Sequence, residues 1–217
     1  HLSVPGLCGW GKLGDVWGPG LYVPSRPLED DEALDAAVAI ARERAAFVVR
    51  HAPDLDAFRA YLDRQKIPLL PPAGRDFPSG PKTVGAYFKL RYGQKALHNK
   101  EHLVPGPSLV ISASANDNGC YGFFDFDALL AAPFLTVPST GSYGEARVQE
   151  WPCGVNDDCL LLTPKSDTPP ELLYVAAGVI RNERWRFNYG MKVTPSRIAE
   201  YPLNTEPGML ARLRDAL

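Results

Sequence analysis

Cysteine and methionine are both scarce in this chain of 217 residues, at four and two. The four cysteines (Cys8, Cys120, Cys153 and Cys159) form no Cys-x-x-Cys pair and match no zinc spacing. A chain this long needs no disulfide framework, so they read as reduced packing residues of a cytoplasmic protein. Long apolar runs are also missing. No segment approaches the roughly 18 to 20 apolar residues that cross a bilayer, so no membrane-spanning helix is expected. No basic-then-apolar leader follows His1, and no targeting signal is expected. Neither sign of charge dominates: 23 Lys and Arg stand against 25 Asp and Glu, a formal net charge of -2. Any face that binds a polyanion must therefore be local.

Signatures of catalysis fail on inspection. "GLCGWGK" (Gly6 to Lys12) opens like a phosphate loop, but Leu13 stands where a hydroxyl should hold magnesium. The overlapping G-x-G-x-x-G lacks a β-α-β context. His98 and His102 have the i, i+4 spacing that chelates a metal on a helix, yet no third ligand is at hand, and they read as solvent-facing. "NDD" at Asn156 to Asp158 precedes an apolar run and reads as a turn. Ser112, Ser114, Ser139 and Ser142 have no histidine partner and no G-x-S-x-G elbow. No catalytic residue, metal site or cofactor is expected.

Proline (21) and glycine (19) are plentiful, which favours short elements and many turns over a helical bundle. Residues 1–28 are a Gly/Pro/Trp-rich segment. Residues 29–80 read as a helical segment followed by a Pro-rich linker. Its first helix would bury Leu34, Val38, Ala41, Ala45 and Val48, with acids at its start and arginines later. A second is expected at 54–62, with Asp54 as cap. From about Lys82 the texture changes to short β-rich runs, "SLVISAS", "PFLTVPS" and "CLLLTP", between turn-rich "NDNGCYG" and "STGSYGEA". A helix is predicted after Pro169 and Pro170, burying Leu172, Leu173, Ala176 and Ile180. A short helix at 207–217 closes the chain. The fold class is α+β: a mixed, largely antiparallel, short-stranded sheet domain over 81–206 with a few helices, preceded by a helical N-terminal segment.

One pattern occurs twice. "FKLRYGQK" (Phe88 to Lys95) and "RWRFNYGMK" (Arg184 to Lys192) both surround aromatics with bases and end in Tyr-Gly-x-Lys. The alternation in the second suits a half-buried strand. Lys89, Arg91, Lys95, Arg184, Arg186 and Lys192 are of the kind that grips phosphates. Ser112, Ser114, Asn116, Asn118, Ser139, Thr140 and Ser142 offer hydrogen bonds, and Tyr92, Tyr143 and Tyr189 add aromatic donors. The two turns are expected to lie near each other on one edge.

The order of these pieces from Phe88 to Pro202 resembles a target recognition domain of the DNA specificity subunits of type I restriction-modification systems. The matching stretches are Ile111 to Ser114, Asn118 to Phe123, Thr136 to Gly144 and Phe187 to Lys192. The resemblance implies a non-enzymatic domain that reads double-stranded DNA and directs an adenine-N6 methyltransferase subunit or domain, in phage defence. It also implies that the polar, basic and tyrosine residues named above contact DNA. Two departures are visible within these residues: one such domain is recognisable rather than two, and no long spacer helix follows it. A protein-interaction or scaffold module of a defence complex that no longer reads DNA is the alternative expectation.

Overall fold

The structure is a computed structural model, described here for residues 32, 35–40, 42–43, 82–188, 190–203, 208 and 211–213. The predicted Gly/Pro/Trp-rich segment, the helix at 54–62, the Pro-rich linker, Tyr189 and most of the closing helix lie outside the described residues.

Among the described residues, nine short strands form three sheets. β1 (Lys82–Thr83) and β9 (Pro202–Leu203) pair antiparallel. β2 (Phe88–Tyr92), β5 (Phe134–Pro138), β6 (Arg147–Gln149) and β8 (Cys159–Pro164) make an antiparallel sheet in the order β2-β8-β5-β6. β3 (Pro105–Ile111) pairs antiparallel with β4 (Cys120–Phe124) and parallel with β7 (Gly154–Val155). Helices α1 (Val84–Tyr87), α2 (Leu172–Asn182) and α3 (Pro195–Ala199) complete the named elements. The architecture is α+β, with mostly antiparallel pairing.

Three layers follow from which side chains each strand can bury. β8 is apolar and buried on both faces from Cys159 to Leu162. Leu160 and Leu162 join Leu135, Val137 and Val148 against the helices, in a core with Leu172, Leu173, Ala176 and Ile180. Cys159 and Leu161 face the other way, against Leu109, Ile111 and Val155 of the three-stranded sheet and against Cys153, just before β7. Each fully buried leucine contributes about 1.5–3 kcal/mol, so this central strand ties both cores together. Burial pushes the Cys153 and Cys159 thiols well above the ordinary thiol range, as suits packing residues.

Helix α2 begins where predicted. The Pro169 and Pro170 carbonyls accept from the Leu172 and Leu173 N–H groups, so the prolines form the turn that enters the helix. The N-terminal helical segment packs on the same core, but one residue out of the predicted phase: Ala37 and Ile40 are buried while Val38 is half-buried.

One local reading is corrected. Arg184–Arg186 forms a 3₁₀ turn rather than a strand. Glu183, whose N–H closes α2 onto the Val179 and Ile180 carbonyls, also accepts from the Arg186 N–H, so the helix tightens instead of unwinding into extended chain. His98 and His102 face solvent, as expected, and do not share a helix. They belong to two short 3₁₀ segments, Lys95–Leu97 and Lys100–His102, separated by extended Asn99, and both are exposed.

Candidate nucleic-acid interface

The registers determine which loops meet. β2 ends at Tyr92 opposite Leu160, near the start of β8, and β5 ends at Pro138 opposite Cys159. β6 begins with Arg147 opposite Thr136. In the second sheet Ile111, the last residue of β3, pairs with Val155, the last of β7. The segments 93–98, 112–119, 139–146 and 156–158 therefore converge on one end of the molecule. The C-terminus of α2 arrives there too: Arg181 Nε donates to the Ala146 carbonyl at 2.6 Å.

The β3–β4 turn is tight. Asp117, Asn118 and Gly119 all have positive φ (55°, 52° and 79°), a conformation that Asn, Asp and Gly tolerate best. The Gly119 carbonyl accepts from Ser112 N–H at 2.8 Å, which closes the loop. The Asn118 side chain is buried and donates to the Val148 carbonyl (3.3 Å) and Gln149 Oε1 (3.2 Å). Ser112 is buried as well. Ser114 and Asn116 stand at the tip, where Asn116 N–H donates to Ser114 Oγ at 3.2 Å.

The β5–β6 loop lies alongside, so that a Cβ on Gly141 would come 3.8 Å from the Ala113 carbonyl. Ser139 is buried, and its Oγ donates to the Asp158 carbonyl at 2.8 Å. Thr140, Ser142 and Tyr143 are half-buried. Asn118, Ser112 and Ser139, counted from the sequence among groups offered to a ligand, thus point inward and hold the loops, whereas Ser114, Asn116, Thr140 and Ser142 keep surface.

Two buried polar residues of β6, absent from the sequence-based candidates, organise this end. Arg147 has 4 % of its surface exposed. Its Nη1 donates to the carbonyls of Ser114 (2.9 Å) and Glu145 (3.2 Å), and its Nη2 donates to that of Ala115. Burial, and secondarily the nearby Arg181, push its guanidinium below the ordinary arginine range. Gln149 is fully buried; its Nε2 donates to the Asn118 carbonyl (3.2 Å) and to Thr136 Oγ1 (3.1 Å). The only hint in the sequence is polar-apolar alternation in "ARVQ", which more often marks a solvated strand face.

The basic candidates divide into groups. Lys89 and Arg91 stand on the exposed side of β2, Tyr92 is 46 % exposed, and Lys95 is exposed. No ion pair involves Lys89, Arg91 or Lys95 among the described residues. Arg184 pairs with Glu145, and Arg186 pairs with Glu183 while its guanidinium lies 5.1 Å from the Trp185 ring centre. Lys192 is exposed, and its carbonyl accepts from Arg197 Nη1 at 2.7 Å.

The two Tyr-Gly-x-Lys turns are held by different partners. Gly93 N–H donates to the Cys159 carbonyl at 2.9 Å and Gln94 N–H to that of Val155 at 2.6 Å. The second turn closes locally, with Gly190 and Met191 N–H donating to Asn188 Oδ1 at 2.9 and 3.0 Å.

Acids also stand at the convergent end. His98 Nδ1 lies 2.7 Å from Asp157 Oδ1, and this hydrogen bond, aided by the charges of Asp157 and Asp158, raises the imidazole above its ordinary pKa.

No family model matches the sequence, and no curated protein matches it. Among solved structures, the chain is similar to the type I restriction-modification system S subunit from M. genitalium, at 17 % identity and a TM-score of 0.49, over 86 % of this chain and 49 % of that one. It is also similar to the HsdS subunit from Thermoanaerobacter tengcongensis, at 17 % identity and a TM-score of 0.46, over 89 % and 52 %. The chain spans about half the length of each.

Proposed function

We propose that this chain recognises double-stranded DNA by sequence and directs an adenine-N6 methyltransferase subunit or domain, or a related defence complex, to its target. The observation that carries the reading is the convergence of the 93–98, 112–119 and 139–146 segments on one end. It sets the hydrogen-bonding groups of Ser114, Asn116, Thr140, Ser142 and Tyr143 beside Lys95, with Arg184 joined to the same end through Glu145. Base edges are read by such hydrogen-bonding side chains, while lysines and arginines grip phosphates. Lys89, Arg91 and Tyr92 on the neighbouring edge strand extend the basic surface. Asn118, Ser112 and Ser139 serve by shaping the loops. The motif order from Phe88 to Pro202 supports the same reading.

A protein-interaction role without DNA readout is favoured by one observation: Arg184 and Arg186 already pair with Glu145 and Glu183, which offsets their charge. Selection from a random duplex library separates the two. The DNA reading expects enrichment of one short sequence. It further expects Lys95→Ala to lower the slope of log affinity against log salt by about 0.9 for all duplexes, since one fewer counterion is released. Asn116→Ala should instead change which sequence is preferred, at about 1–3 kcal/mol per lost base contact. An unenriched pool removes the DNA reading.

A further inference from the structure

A buried arginine is costly unless its donors are used and its charge is offset. In Arg147 the first condition is met in a particular way, and the second only in part. Its two terminal nitrogens are spent on main-chain carbonyls: Ser114 and Ala115 from the β3–β4 loop, and Glu145 from the β5–β6 loop. Glu145 Oε2, at 3.9 Å, faces its charge but is shared with Arg181 and Arg184, so the carbonyls do most of the holding. Main-chain carbonyls fix the position of the backbone itself, whichever side chains the loops display. Two residues along the same strand, and so on the same side of the sheet, Gln149 grips the other limb of the β3–β4 loop through Asn118, both at its carbonyl and at its side-chain amide.

We infer that Arg147, assisted by Gln149, is the positioning residue that sets the spacing between the two loops that display Ser114, Asn116, Thr140 and Ser142, and thereby sets sequence specificity without touching DNA. This inference rests on the DNA-recognition reading above. Lysine cannot replace arginine here, because a single ammonium does not reproduce a planar fork directed at three carbonyls.

Arg147→Lys in the whole chain tests it. Affinity is measured at several salt concentrations for the duplex that the wild type enriches and for a scrambled duplex of equal length, and amide hydrogen exchange is followed in the free protein. The expected result is a cognate-to-scrambled ratio that falls by about tenfold, on the scale of one lost base contact. The salt slope should be unchanged, with faster exchange across 113–118 and 140–145. Simple destabilisation lowers affinity for both duplexes alike and leaves the ratio intact, so the ratio separates positioning from folding. If Arg147→Lys does not fold, Gln149→Met, which frees the other limb of the loop, is held to the same outcome. A variant that discriminates as the wild type does overturns the inference and leaves the DNA reading standing. A wild type that enriches no sequence overturns the DNA reading, and this inference with it.

Discussion

The same four-letter pattern builds two different objects, at Tyr92–Lys95 and, over its described residues, at 190–192. At the first, glycine is a steric necessity. A Cβ on Gly93 would fall well inside contact of the Asn156 carbonyl oxygen and 2.6 Å from that of Val155, so the turn is wedged against the β7–β8 turn. At the second, a Cβ on Gly190 would meet only Asn188 Oδ1, at 3.4 Å. One turn is a joint between two sheets; the other is a surface turn closed by its own asparagine. Identical letters specify a local preference, and what surrounds them decides the role.

The sharpest way to break this comparison is to add one methyl group to each turn. Gly93→Ala is expected to cost about 3 kcal/mol or more, because two carbonyl oxygens of a neighbouring backbone must move. Gly190→Ala should stay within about 0.5 kcal/mol, as for an ordinary surface change. Chemical denaturation of both variants measures this, and equal losses would mean that the first turn is no joint.

A smaller effect is expected at Gln94, which belongs to the wedged turn. Its Nε2 donates to the Ala128 carbonyl at 2.6 Å and its Oε1 accepts from Val155 N–H at 3.0 Å. Removing both bonds in Gln94→Ala should cost about 1–2 kcal/mol, part of it from leaving Val155 N–H unsatisfied. Unchanged stability would show that the backbone contacts of Gly93 hold the joint alone.

The smallest expected effect is a pH dependence confined to the first turn. The bond to Asp157 raises the folded pKa of His98 above its ordinary value of 6.5. Its contribution is fully present below the unfolded value and is lost as pH rises through the raised one. Thermal melts from about pH 6 to about pH 8 should show a loss of stability in the wild type that is reduced in Asp157→Asn. Parallel curves would place the pair outside the energetics of the joint.

Much of the scaffold was legible in the letters. "FLTVP" and "CLLLTP" announce strands because apolar and β-branched residues sit between turn formers, and α2 follows from Pro169, Pro170 and the 3.6-residue spacing of Leu172, Leu173, Ala176 and Ile180. The site was legible only as a set of residue types. Arg147 and Gln149 resemble the polar face of an ordinary strand, since the loop they hold lies about thirty residues upstream and no local window contains both. For the same reason Asn118 and Ser139 looked available to a ligand, while their partners Gln149 and Asp158 turn them inward. The alternation in "RWRF" reads as a strand, but in the 3₁₀ turn, with its period of three, Arg184 is exposed, Trp185 and Arg186 are half-buried and Phe187 is buried, and the decisive acids Glu145 and Glu183 are not part of the pattern.

The two-sided burial of β8 has a consequence for how the chain finds its alignment. In most strands a slip by one residue is resisted because it turns polar groups inward. From Cys159 to Leu162 no such penalty exists, since both faces are apolar and a slip would only exchange Leu160 and Leu162 with Cys159 and Leu161. The alignment must therefore be held from the strand's end, by the Ser139 and Gly93 N–H groups, which dock on the carbonyls of Asp158 and Cys159. These pegs occupy the same end as the 112–119 and 139–146 loops, so correct threading of the central strand and correct placement of those loops are one event.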